Sequence, residues 1–182
     1  ARQIIDGRFL EYPGTIPAPV FLKREVWTGI AGDNVSNLTS AATFIAGKPN
    51  ARGILTTFEA PSEYAENYGQ RITGRLVAPE TGNYKFWIAS DNASELWLST
   101  DSDPANRIKI ASNTGITLPR EWTKFPGQES GSLTLVAGQR YHIEVLHKEG
   151  IFGDNLAVAW QGPSFARQII DGRFLEYPGT IP

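Results

Sequence analysis

The chain has 182 residues, with 17 Lys+Arg against 19 Asp+Glu and a net charge of −2. This near-neutral balance, with no basic run, argues against nucleic acid or an anionic membrane as the main partner. The absence of cysteine excludes disulfides, zinc–thiolate sites, thiol catalysis and iron–sulfur clusters, and no apolar run nears the roughly twenty residues that membrane insertion requires.

No methionine and no signal peptide are present. The chain therefore reads as an internal piece of something longer, or as a processed product. Residues 1–17, ARQIIDGRFLEYPGTIP, recur letter for letter at 166–182. A period of 165 residues is far too long for a solenoid unit and has the size of a whole domain. Three segments are expected: an inter-repeat strand and Pro-rich linker at 1–19, a β-domain at 20–165, and the start of the next repeat at 166–182. The parent would then be an array of near-identical domains; the alternative is a duplication introduced by cloning.

Residues 2–12 place Ile4, Ile5, Phe9, Leu10 and Tyr12 around Asp6-Gly7, a bent strand or a tight hairpin. Pro13-Gly14 and Pro17-Ala18-Pro19 follow as a semi-rigid connector. The spacing predicts a strand over 20–27. Residues 34–44 offer Ser36 as the N-cap of a short helical turn. Strands are predicted at 54–58, 68–78, 83–89, 95–99, 107–111, 130–136, 139–147 and 155–161. Ala137-Gly138 reads as the hairpin turn joining 130–136 to 139–147. Many short strands with turn residues between them indicate an all-β protein, an antiparallel sandwich or barrel with short helical turns.

Little in this chain points to catalysis. The two histidines, His142 and His147, fall in one predicted strand on opposite faces. His147 closes an apolar stripe and reads as a packed, hydrogen-bonded residue. His142 and Glu144 are spaced to chelate a metal, though a solvated face explains them as well. No nucleophile elbow and no phosphate loop occur. Asp101-Ser102-Asp103 opens like a calcium loop of the EF-hand type, but Asn106 and Ser112 stand where that loop needs Gly and Glu.

Two loops carry a different signal. Residues 90–94 and 150–155 each hold an Asp-Asn dipeptide at a strand end: Asp91-Asn92 and Asp154-Asn155. If the loops lie side by side, four oxygen-bearing side chains converge on one hard cation such as Ca²⁺, and its open positions can accept sugar hydroxyls. The alternative is that Asp and Asn stand there because they tolerate turn geometry.

Several runs together resemble the PA14 domain family. They are Thr57-Phe58-Glu59-Ala60-Pro61 with Tyr68-Gly69-Gln70-Arg71-Ile72, and residues 79–92 with Glu95-Leu96-Trp97-Leu98-Ser99. Residues 135–141, Glu144, His147-Lys148-Glu149-Gly150 and 154–160 complete the set. The resemblance spans about residues 20 to 163. It implies a β-sandwich, often described as a barrel, found outside the cell in adhesins, toxins, flocculins and glycosidases. In the sugar-binding members an Asp-Asp pair joined by a cis peptide holds Ca²⁺, and Asp91-Asn92 occupies that position with its second Asp replaced by Asn. Asn keeps an amide oxygen but loses a negative charge, which weakens calcium binding. The Asp154-Asn155 loop resembles the second ligand loop. Trp122 and Phe152 are loop aromatics that either stack on a sugar or cover the end of the core.

The resulting expectation is a non-catalytic extracellular or cell-surface repeat module of an adhesin or surface fibre, binding glycan or cell-surface polysaccharide through a calcium-assisted loop site. The expected metal ligands are Asp91, Asn92, Asp154 and Asn155; the sugar contacts are Asp91, Asn92, Asp154, Trp122 and Phe152. The alternatives are a purely structural repeat that spaces or polymerises a filament beside identical neighbours, and an accessory carbohydrate-binding module of a secreted glycosidase.

Overall fold

A computed structural model describes residues 20–179. The duplicated stretch at 1–17, with the linker up to residue 19, lies outside them. Against the nine strands and one short helical turn expected between residues 20 and 161, the described residues hold eleven strands and two short helices. In chain order these are β1 (Leu22–Thr28), α1 (Val35–Thr39), α2 (Ala42–Ile45), β2 (Ala51–Leu55), β3 (Tyr68–Val77), β4 (Gly82–Asp91), β5 (Ser94–Ser99), β6 (Arg107–Asn113), β7 (Leu133–Leu135), β8 (Arg140–Glu149), β9 (Asn155–Gln161), β10 (Gln168–Ile169) and β11 (Leu175–Glu176).

All strand pairs are antiparallel, and they form two packed sheets. The larger runs β2-β1-β3-β8-β5-β6, with β11 also paired to β3; the smaller runs β10-β9-β4-β7. Alternation explains the packing. In β3, Ile72 and Leu76 are fully buried while Arg71, Thr73 and Arg75 are half-buried on the other face. Phe86 and Ile88 of β4 meet Ile143 and Val145 of β8 in one core with Trp160, Ile170 and Leu175. The expected antiparallel sandwich is what the structure shows.

Some local details differ from the expected ones. The helical turn is capped at Asn34 rather than Ser36, and the Asn34 N–H donates to Asn37 Oδ1 at 3.0 Å. Ala137-Gly138 is not a hairpin: β7 pairs with β4 and β8 pairs with β3 and β5, so the turn carries the chain from one sheet to the other. A turn signal reports a chain reversal and leaves open which sheet the next strand joins. The strand expected at 54–58 lies at Ala51–Leu55 instead.

β1 and β11 share one side of β3 and lie end to end along it. Lys23 faces Thr73, while Leu175 faces Leu76 and Glu176 faces Arg75. Gly74 falls at the junction. A Cβ there would strike the Leu22 side chain and come within 2.9 Å of the Glu176 carbonyl oxygen, so the junction needs a residue without one.

Candidate cation and glycan site

The ends of β3, β4, β8 and β9 meet at one edge of the sandwich. Asp91 is directly opposite Asn155 in the β4–β9 ladder, and Tyr68 is opposite Glu149 in the β3–β8 ladder. His147 ties the two sheets together there. Its Nδ1 accepts from Gln70 Nε2 at 2.8 Å, and its Nε2–H donates to the Asp91 carbonyl at 2.8 Å. The ring is fully buried, and that burial pushes its pKa down to about 4. His147 is therefore a neutral, hydrogen-bonded core residue, as the apolar stripe implied.

The turn between β4 and β5 is held by buried polar contacts. Ser90 Oγ donates to the Asn92 carbonyl at 2.6 Å, and Asn113 Nδ2 donates to the carbonyls of Ser90 and Asn92 at 2.7 and 3.1 Å. The peptide bond between Asp91 and Asn92 is cis. Asn92 is nearly buried, and its Oδ1 accepts the Gly150 N–H at 2.8 Å. Of the dipeptide, Asp91 is thus the residue with a free oxygen.

Four side chains at this edge leave buried oxygen atoms without any hydrogen-bond partner: Asp91 Oδ1, both carboxylate oxygens of Glu149, Asp154 Oδ1 and Asn155 Oδ1. The opposite atoms explain their aim. Asp154 Oδ2 accepts the backbone N–H groups of Tyr64 and Ala65 at 2.7 and 3.3 Å, and Asn155 Nδ2 donates to the Thr117 carbonyl at 2.8 Å. Asp154 and Asn155 are thus each anchored by one atom and present the other. Buried oxygens that lack a donor are costly unless a cation satisfies them.

The charges are coupled. Burial raises the Asp91 pKa, and the Asp154 carboxylate raises it further, with Asp33 and Glu63 adding to the effect against Lys124. Burial pushes Glu149 up to about 8, helped by Asp91, Asp154 and Glu66. Tyr68 is likewise raised by burial and by Asp154. No three His, Cys, Asp or Glu side chains among the described residues stand close enough to hold a metal by themselves. A cation here would draw on amide or backbone oxygens as well, which suits a hard ion that takes oxygen ligands of either kind. The unpartnered donor set is oxygen only, and it fits Ca²⁺ better than a metal that prefers nitrogen or sulfur.

The two expected aromatics are placed differently. Phe152 is 80% exposed on the loop between β8 and β9, and its N–H donates to Glu66 Oε2 at 2.8 Å. Trp122 is half-buried, and Arg167 lies against both Trp122 and Trp87, 6.0 and 5.0 Å from the ring centres. His142 lies 3.6 Å from Glu144, which also faces Arg107. Two concavities of about 270 and 310 Å³ lie elsewhere, one against Tyr141 and one against His142, and neither includes the unpartnered oxygens.

Glu149 was not singled out among the expected ligands. The signal was one step away: it continues the face that carries Val145 and His147, so a carboxylate stands on an inward stripe. Asp33, Glu63 and Glu66 come from distant loops and carry no such local pattern.

The PA14 domain family model matches residues 32–171. The chain is 34% identical over 168 residues to mouse N-acetyl-beta-glucosaminyl-glycoprotein 4-beta-N-acetylgalactosaminyltransferase 1, covering 88% of this chain and 16% of that protein's length. The PA14 domain of MpAFP antifreeze protein superposes with a TM-score of 0.67 at 12% identity, over 96% of this chain and 98% of that one. The PA14 sugar-binding domain from an RTX adhesin gives 0.64 at 14% identity, over 86% and 98%. With two packed antiparallel sheets and a family match across most of its length, this chain belongs to the PA14 domain family.

Proposed function

We propose that this domain is a non-catalytic, extracellular glycan-binding module that works through a bound Ca²⁺. The observation that carries the reading is the group of buried, unpartnered oxygens on Asp91, Glu149, Asp154 and Asn155. Asp91 and Asp154 would hold the ion together with the Asn155 amide oxygen, with Glu149 nearby as further negative charge and Asn92 locking the 150–155 loop beside it through the Gly150 N–H. When bound, the ion supplies a positive centre whose remaining coordination positions exchange water for sugar hydroxyls. The exposed Phe152 ring stands on the same loop as Asp154, where an apolar sugar face can stack. The similar domain from an RTX adhesin is a sugar-binding domain, which supports the ligand class.

The contacts of the two histidines support the non-catalytic part of this reading. His147 is locked between Gln70 and Asp91, and His142 pairs with Glu144, which leaves neither ring poised beside a nucleophile. Calorimetry with galactose- and N-acetylglucosamine-containing oligosaccharides, in calcium and then in EDTA, tests the reading. Heat that appears only with calcium supports it; none with any sugar removes it.

A structural repeat in a fibre is the second reading, favoured by the identity of residues 1–17 with 166–182. It is compatible with the first, because weak single sites on one chain gain strength through avidity. An accessory role in a larger secreted enzyme is supported by the transferase relative, of which this chain matches only a small part.

A further inference from the structure

The segment after β9 is built into the sandwich. Gln168 and Ile169 pair with Trp160 and Ala159 of the smaller sheet, and Leu175 and Glu176 pair with Leu76 and Arg75 of the larger one. Between them, the Ile170 N–H donates to Val158, and the Ile170 carbonyl accepts from Phe58. Ile170 and Leu175 are fully buried. Phe174 packs on Trp160 with ring centres 5.1 Å apart, and Arg140 donates twice to Glu176, at 2.7 and 3.0 Å. Gly172 is buried so close to the Thr56 carbonyl that a Cβ would collide with it. The segment thus bridges both sheets through a slot that reads a definite sequence: Ile, then a glycine two residues later, then Phe-Leu-Glu.

Every one of those slot residues recurs in the first seventeen. Ile4, Ile5, Gly7, Phe9, Leu10 and Glu11 correspond to Ile169, Ile170, Gly172, Phe174, Leu175 and Glu176. The slot in this domain is already filled by the later copy. The position on β3 that lies next to the start of β1 is held by Leu175 and Glu176, and the Gly172 backbone stands close to the Val20 carbonyl. The earlier copy carries the same side chains and has no vacancy of its own to enter.

We propose that ARQIIDGRFLEYPGTIP is the docking sequence of this domain, and that its copy at residues 1–17 fills the same slot of a second copy of the domain. Copies are then joined head to tail by a strand that belongs by sequence to one unit and by packing to its predecessor. The partner is another copy of this domain, and the inference does not depend on sugar or cation binding.

The test keeps the whole chain. A protease recognition sequence inserted after Phe165, beside the exposed residues 166–168, allows residues 166–182 to be cut free after folding. The cut segment should stay with the domain on gel filtration and exchange with a labelled peptide of residues 1–17. A peptide carrying Ile5→Asp and Leu10→Asp should not exchange. Chain freed of its cut segment should then form a 1:1 complex with intact chain, and intact chain carrying the same two substitutions should not. Circular dichroism on each species confirms that the sandwich is still folded. A folded, emptied domain that binds neither the peptide nor the intact chain overturns the proposal, as does one that stays monomeric by taking up its own residues 1–17.

Discussion

Asp91 and Asn155 face each other across the β4–β9 ladder, and each leaves a side-chain oxygen buried without a partner. The pairing sets two loops side by side that are more than sixty residues apart in sequence. In the absence of a cation this arrangement is destabilising, since neither oxygen recovers the hydrogen bonds it had with water.

An Asp91→Asn variant should therefore be more thermostable than the parent in EDTA, because it removes a desolvated charge beside Asp154. It should lose the calcium response. For the parent, calcium at about a hundred times its dissociation constant adds about 2.7 kcal/mol, visible as a rise in Tm by differential scanning fluorimetry. A variant that responds to calcium like the parent would show that Asp91 is not a ligand.

In EDTA, two buried groups should leave stability level between pH 4.5 and 6.5 and falling above pH 6.5. Burial raises the Glu149 pKa from 4.5 to about 8, so between pH 4.5 and 8 the native chain keeps a proton that the unfolded chain has lost. Stability from this group falls as pH rises through that window. His147 acts in the opposite sense: its pKa drops from 6.5 to about 4, so between those values the unfolded chain holds a proton that the native chain refuses, and stability from this group is lost as pH falls. The two offset each other from pH 4.5 to 6.5, and only the Glu149 slope remains above. Urea midpoints measured from pH 4 to 8 check this. Glu149→Gln should abolish the fall above pH 6.5 and uncover a rise with pH from 4 to 6.5 set by His147.

Phe152→Ala should leave Tm unchanged, because the ring is exposed, and should weaken glycan affinity by at least tenfold. Trp122→Ala should do the reverse, since its ring packs beside Arg167 near Trp87. Titration of both variants on one glycan separates the two effects. Equal losses of affinity would place both rings at the sugar.

Leu175→Ala should cost about 2–5 kcal/mol, the usual range for a fully buried leucine. In a domain of this size each kcal/mol lowers Tm by about 2–4 °C, so the drop is readily measured. Glu176→Ala removes an exposed ion pair with Arg140 and should cost under about 1 kcal/mol. Chemical denaturation of the two variants tests whether residues 166–179 contribute packing to this unit.

The strands were legible because alternation and turn residues are local: residues 155–161 were read from the sequence to the residue, and 68–78 to within one. The turn at Ala137-Gly138 was visible, but its partner strand was not, because sheet membership depends on which face remains unburied after folding. At the site, the two Asp-Asn dipeptides stood out as unusual turn chemistry. Glu149 did not, since its meaning comes from burial against residues from other strands. Asn92 reads as a ligand by position; that its Oδ1 also accepts the Gly150 N–H was not legible, because only the folded loop supplies that donor.

The end-to-end placement of β1 and β11 also fixes where the first and last described strands lie relative to the candidate site. Leu22 and Glu176 both lie at Gly74, so the start of β1 and the end of β11 nearly meet. Tyr68, beside Glu149, is six residues farther along the same strand, about 20 Å at the usual rise. The first and last described strands therefore meet about 20 Å along β3 from the acidic edge that carries Phe152, which separates the 166–179 segment from the candidate glycan site.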